Sequence, residues 1–502
     1  MATNSIVLIY TSTKVISESD IDMQITLGNI EKVMQSIALF SRSVHVLTFL
    51  GGSKELIKYT LDNFESQLIL LQEIHTNITE NLLGVHKCLG ENAFVHEAVR
   101  IYNDDGSISK TKTNLIDAVL YTISKGYDFI RKVNKNENLE TEIKYFVRNG
   151  GDEVFHYCNN TLYSLTDCEI QGIDDLKYRM DILLAVGFGT LVLCLGLTVP
   201  FALAVINMEN KFWNLIKEHA YINYIELKQA CLDRLMTTHG KVDTLFSDGN
   251  QISKNSDLKN YRKFSWRICI YLILALAFFL VNILYLYSDC LTYLHLRPNL
   301  LRDLINSQAL YKSLWIWSSE ISIIGFPVSL PNNTAKAYPF SDPRYELDHA
   351  SASIALSEKA IKDSKYLPLL SDEFNKLFYE KCQTSNIITN YGVYATGKVL
   401  ASEAYYLGYG NDPNFLDFWY SLTKELSVFN EEYDVLIKLA DHDSQNLIES
   451  QLNFIIAALI CFCVLSVIIY LRIFLSFLIK EKKYLSKMRE MSRIIPDRFF
   501  KY

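Results

Sequence analysis

Proline is scarce in this chain: nine in 502 residues, and none before Pro200. Proline costs a helix interior about 3 kcal/mol, so its absence over so long a stretch favours long helices. Glycine is sparse too, at 20, which excludes a collagen-like or low-complexity chain. Positive charge shows no excess. Forty-nine Lys+Arg face 56 Asp+Glu, for a net charge of -7. A nucleic-acid binder would show a basic footprint, so no nucleic acid is expected as a partner. The dinucleotide, P-loop, zincin and CxxC patterns are all missing. No catalytic residue, metal ligand or cofactor is assigned from sequence. The first 30 residues also lack the charged and apolar regions of a secretory signal. Either the first span described below acts as a reverse anchor, or a further span lies upstream of this chain.

Charge is absent from three windows: Ile182 to Met208, Ile268 to Ser288 and Ser450 to Leu471. A helix needs about 20 apolar residues to cross a hydrocarbon core of about 30 Å. Mean hydropathy is +0.08 in spite of the acidic balance. Trp266, Tyr271, Tyr285, Tyr287 and Tyr470 lie at or near the window ends, as interfacial aromatics do. The expectation is a mainly α multipass membrane protein with three transmembrane helices and two helical ectodomains, its lipid partner the bilayer. The divisions are 1–181 outside, 182–208 spanning, 209–267 inside, 268–288 spanning, 289–449 outside, 450–471 spanning and 472–502 inside.

Flanking charge sets the orientation. Residues 209–267 carry 10 Lys/Arg against 7 Asp/Glu, and 472–502 carry 9 against 3. Residues 1–181 carry 17 against 25, and 289–449 carry 13 against 21. Lys and Arg near span ends stay in the cytoplasm. The predicted localisation is therefore an integral protein, in the plasma membrane, with its N-terminus outside and C-terminus inside.

Cys88, Cys158, Cys168, Cys290 and Cys382 fall in the outer segments, where thiols oxidise. Cys158–Cys168 and Cys290–Cys382 are plausible pairs, with Cys88 left over. Asn77, Asn159 and Asn332 begin glycosylation sequons, all in outer segments.

Helical patterns recur outside the membrane. Ile30, Val33, Met34, Ile37 and Phe40 form one apolar face; Leu56, Tyr59, Leu61, Phe64, Leu68 and Leu71 form another. Gly51-Gly52 separates these two, and Gly150-Gly151 marks a second break. The first outer segment reads as four or five helices, the last starting near Gly172 and entering the first span. In the second, Leu300 to Ile316, Ala350 to Tyr379 and Phe415 to Glu449 read as helices around a proline-rich loop. Asp441-His442-Asp443 is the densest titratable cluster. It reads either as a solvated helix end or as a cation or pH-sensing site. In the tail, Leu478, Leu485, Met488 and Ile495 approximate a heptad seam that Pro496 ends. That helix either lies against anionic lipid or pairs two copies as a homodimer.

Two stretches carry a resemblance. Asn207-Met208-Glu209-Asn210-Lys211-Phe212-Trp213 and Met488-Arg489-Glu490-Met491-Ser492-Arg493-Ile494-Ile495-Pro496 resemble the membrane portion of the multipass receptor-type nucleotide cyclases of anaerobic flagellate (trichomonad-type) protists, themselves similar to the tiny-macrocysts family. The resemblance covers mainly residues 180–502. It implies that Ile494-Ile495-Pro496 links the last span to a class III cyclase domain. The residues of such a domain would lie beyond Tyr502, so none is carried over. The reading is a receptor-like transducer for an unknown extracellular ligand. The alternatives are a structural or adhesion protein and, third, a channel or transporter subunit. No Asp, Glu, Lys, Arg or His lies within the spans, which argues against a transport pathway.

Overall fold

The computed structural model describes residues 2–49, 51–82, 113–222, 288–324, 343–380, 392–409 and 415–475, with a few single residues beyond them. Among the described residues the protein is mainly α-helical and has no strand, as the missing prolines predict. Cα proximity divides the chain into two compact units. The first joins Met1–Lys177 to Cys290–Ser450, and the second joins Tyr178–Asp289 to Gln451–Tyr502.

In the first unit, α1 (Ala2–Phe49) ends at the Gly51-Gly52 pair. Gly51 sits at φ 72°, a conformation that only glycine adopts without strain. Ser53 then caps α2 (Lys54–Asn77), its Oγ accepting from Leu56 N at 3.2 Å. Asn114 caps α3 (Leu115–Lys135) in the same way, accepting from Asp117 N at 2.7 Å. These bonds satisfy N–H groups that a helix start leaves without partners.

The next helix, α4 (Glu140–Arg148), leads into a π-turn, Asn149–Glu153, and then α5 (Val154–Ile222). Gly150-Gly151 is therefore a wide helical turn rather than a break. A Cβ on Gly150 would lie 2.5 Å from the carbonyl oxygen of Met34. The glycine is needed because α1 passes directly against it. The helix expected to begin near Gly172 begins at Val154, and a Cβ at Gly172 would meet nothing.

Beyond residue 287, α6 (Ser288–Ile324) is longer than predicted and contains Pro298. The single helix expected over 350–379 is divided. Pro368 lies in a short 3-10 turn, Leu367–Leu369, between α7 (Pro343–Asp363) and α8 (Asp372–Tyr379). After α9 (Val393–Tyr409), α10 (Phe415–Tyr470) runs unbroken into a π-turn, Leu471–Leu475.

Residues 1–177 and 290–450, read from the sequence as two ectodomains, build one unit and share one core. Phe64, Phe129 and Phe146 form an aromatic cluster with centroids 4.8 to 5.9 Å apart. Trp315 and Trp317, from the second segment, are fully buried in the same core. Gly28 of α1 meets Ile305 of α6 so closely that a Cβ would sit 2.4 Å from the Ile305 methyl. Each segment thus covers part of the other's apolar face.

Ion pairs also join the segments. Arg42 Nε and Nη2 donate to Glu320 Oε1 and Oε2 at 2.8 and 2.9 Å, with both side chains buried. Lys32 Nζ donates to Asp434 at 2.5 Å. Lys312 is buried and donates to Ser36 Oγ at 2.8 Å and to the Lys32 carbonyl at 3.2 Å. Burial, helped by the nearby Lys32 charge, pushes the Lys312 amine well below the usual lysine range.

Among the described residues, no helix is long and apolar enough to cross a membrane. The three charge-free windows nevertheless fall unevenly. The first lies within α5 and the third within α10 save for Leu471, which opens the π-turn. The second lies almost wholly outside the described residues. None of the described side chains in the first or third window is buried.

Candidate functional site

The first unit contains a cavity of about 310 Å³ lined by α5, α6, α7 and the π-turn before α5. Each wall has a distinct chemistry. Helix α5 contributes Phe155, His156, Asn159 and Tyr163, spaced so that one helix face points inward. Helix α6 contributes Arg302, Asp303, Asn306, Leu310, Ser313 and Trp317, which follow the same periodicity. Helix α7 adds Glu346, His349, Ser353 and Ser357.

Hydrogen bonds fix the polar side. Arg302 donates from Nε and Nη2 to Asp303 Oδ1 at 3.0 and 2.8 Å. Its guanidinium lies 4.7 Å from the Tyr163 ring centroid, a cation–π arrangement. Asn306 Nδ2 donates to Tyr163 Oη at 3.2 Å. Ser357 Oγ donates to the Asp303 carbonyl at 2.9 Å, tying α7 to α6. The Trp317 indole donates to Ser313 Oγ at 3.1 Å.

Burial raises the Asp303 carboxyl above its ordinary range, and the Arg302 charge opposes that rise. Burial raises the Tyr163 phenol as well, again opposed by Arg302. Near this wall lies Glu31 on α1, fully buried, with no partner for Oε1 among the described residues. Desolvation holds its carboxyl well above the usual range, and burial, with Glu31 second, raises the Cys158 thiol.

A wider groove of about 890 Å³ lies between α7 and α9. There Tyr311 donates to Glu358 in a short hydrogen bond, and Lys398 Nζ lies 3.6 Å from Glu358 and 4.4 Å from the Tyr394 centroid. These charges already satisfy one another.

The sequence-predicted residues are scattered. Cys158 is a free, buried thiol, whereas Cys168 is disulfide-bonded. The Cys158–Cys168 pair is thus not formed. Both residues lie on α5, ten positions apart, which is about 15 Å of helix rise; a disulfide needs Cα atoms within about 7 Å. The partner of Cys168 lies outside the described residues. The Cys290 side chain and Cys382 also lie outside them.

Asn77 is exposed at the end of α2. Asn159 is only partly accessible, its Oδ1 buried against the cavity wall without a partner, and Thr161 of its sequon is buried. Such a site is a poor glycan acceptor. Asn332 lies outside the described residues, as do Leu478, Leu485, Met488, Ile495 and Pro496.

In the Asp441-His442-Asp443 cluster both carboxylates have partners on other elements. Arg297 Nη2 donates to Asp441 at 2.8 Å, and Asp443 accepts from Ser371 N at 2.9 Å. His442 is exposed beside Asn446. No group of residues suited to a metal occurs among the described residues.

Sequence reasoning missed the cavity altogether. Its signal was the adjacent Arg302-Asp303 pair in a helical run that also carries Trp315 and Trp317. No protein-family model, curated protein or solved structure matches the chain.

Proposed function

We propose that the protein is a receptor-like signal transducer of the plasma membrane, its first unit outside the cell and its tail inside. On this reading it is the sensor and membrane half of a nucleotide-cyclase-type receptor, or a relative without the catalytic domain. The observation that carries the reading is the course of α5. The helix that lines the cavity with Phe155, Asn159 and Tyr163 runs unbroken to Ile222, through the charge-free window.

Within that window Ile182, Val186, Val192, Leu193 and Met208 are 45 to 67% exposed. On α10, Phe454, Ile460, Val464, Leu465, Val467 and Ile468 are 53 to 59% exposed. Exposed large apolar side chains along both windows mark an interaction surface, and a bilayer supplies the apolar solvent that they need. The disulfide at Cys168 suits an oxidising compartment. The basic flanks at 209–267 and 472–502 support the orientation. The resemblance of residues 207–213 and 488–496 to receptor-type cyclases supports a tail that acts on an output domain.

The test uses the full chain in isolated membranes, with cysteine introduced by Met488→Cys to report tail pairing through cross-linking. A cavity-filling Ser353→Trp substitution stands in for ligand. Transduction predicts a changed cross-linking yield at unchanged expression. An identical yield in a folded, membrane-integrated Ser353→Trp chain contradicts it. Release of the chain by alkaline carbonate contradicts the membrane reading itself.

A further inference from the structure

The cavity's charge distribution defines the chemistry of what fits it. Asp303 Oδ1 takes both bonds from Arg302. Asp303 Oδ2 has no hydrogen-bond partner among the described residues, and the side chain remains partly accessible, at 13%. A partly desolvated carboxylate oxygen left open on a cavity wall seeks a cationic or N–H donor.

Among the lining residues the one fixed cation is Arg302, which is committed to Asp303 and to the Tyr163 face. With its guanidinium taken by Asp303, Arg302 offers little to an anion, whereas the open Asp303 oxygen attracts a cation. The opposite wall is apolar, with Phe155, Leu310 and Trp317. A volume of about 310 Å³ falls at the small end of ligand sites, which run from about 300 to 1,000 Å³.

Resting on the receptor reading above, we propose that this cavity binds a small organic amine, its ammonium on Asp303 Oδ2 and its apolar body along Phe155, Leu310 and Trp317. Arg302 is a positioning residue here. It occupies Oδ1, holds the carboxylate in place and leaves the second oxygen free. Its cation–π contact with Tyr163 keeps it from swinging into the ligand's position.

The experiment is calorimetric titration of the full chain in lipid nanodiscs with 2-phenylethylamine, and with the neutral isostere 2-phenylethanol. The amine should bind saturably at one site, and the alcohol at least about tenfold more weakly, as expected when a charge-assisted bond is lost. Asp303→Asn should weaken the amine by a similar factor, and Ser353→Trp should abolish binding by filling the cavity. Asp303→Asn releases Arg302 from its partner, so its fold is checked by thermal melting. If that variant does not fold, the amine–alcohol ratio together with Ser353→Trp decides.

No saturable amine binding, equal binding of the alcohol, or unchanged binding by folded Asp303→Asn or Ser353→Trp would each overturn the proposal. The receptor reading fails separately. It falls if the chain is extracted by carbonate or if tail cross-linking ignores Ser353→Trp. A membrane-integrated chain whose tail responds to that substitution, yet which binds no amine, overturns the ligand class alone.

Discussion

Helix α10 shows two opposite environments along one continuous element. Between Phe429 and Ile448 it buries Phe429, Tyr433, Leu436, Ile437, Ala440 and Ile448. From Phe454 onward it exposes Phe454, Ile460, Val464, Leu465, Val467, Ile468 and Ile469, and no described side chain between 450 and 475 is buried. The buried stretch carries charges on its outer face, such as Glu431 and Lys438, and the exposed stretch carries none before Arg472. A helix stabilised by protein neighbours needs one apolar stripe. A helix that is apolar all round needs an apolar solvent. On the receptor reading the two halves of α10 differ in what surrounds them, protein for the first and lipid for the second, although the backbone is the same.

The strongest break in that comparison comes from the interior side. Arg42→Ala leaves Glu320 buried and uncompensated, at an expected cost of about 3–5 kcal/mol. Denaturant unfolding of the detergent-solubilised chain measures it. A cost of under about 1 kcal/mol, no more than an exposed pair contributes, would show that the α1–α6 contact is not part of the folded core.

The exposed side breaks differently. Ile460→Lys places a charge at the middle of the apolar row, which costs about 3 kcal/mol at a bilayer centre and almost nothing on a water-facing surface. The carbonate-resistant fraction should fall while the melting of the first unit stays unchanged. An unaltered fraction would place that face in water.

Acid should act on the first unit through His45. Burial, with the Arg42 charge behind it, lowers this imidazole from 6.5 to about 4. The unfolded chain therefore binds the proton first. The contribution is fully present above pH 6.5 and is lost as pH falls from 6.5 towards 4, by about 2 kcal/mol after allowance for partial exposure. His45→Gln should remove that slope from a stability–pH profile. An unchanged slope would assign the loss to other groups.

The smallest effect is expected at Glu31. Its carboxyl is raised by burial, so the stability it contributes is present below the unfolded value and is lost as pH rises through the folded one. Glu31→Gln should therefore stabilise the unit at pH 7, by about 1 kcal/mol, and lose that advantage near pH 4. Thermal melting at the two pH values checks this.

Much of α10 was legible, because nothing between Pro413 and Pro496 could interrupt a helix. The helical class was legible for the same reason over the first 181 residues. The union of residues 1–177 with 290–450 was not. Periodicity shows which face of a helix is apolar, not what covers it, and the cover for α1 lies nearly 280 residues away in sequence, at Ile305 and Glu320. Helix α6 hid its role because it buries Asn306, Ser307, Gln308, Lys312 and Glu320 alongside its apolar residues, which blurs any stripe. Gly150-Gly151 looked like a chain break because a glycine pair signals either a turn or a close approach. The cavity depended on three helices meeting, and only the Arg302-Asp303 pair marked it in sequence.

Side-specific labelling tests the central claim most directly. The full chain is prepared in sealed right-side-out vesicles, with its native cysteines replaced except the disulfide-bonded Cys168 and its partner. Single cysteines are introduced by Tyr345→Cys, at a side chain 65% exposed on the first unit, and by Tyr502→Cys in the tail. A membrane-impermeant maleimide should label the first without permeabilisation and the second only after it. Labelling of both in sealed vesicles, or of the tail alone, would contradict a protein that crosses the membrane with its first unit outside.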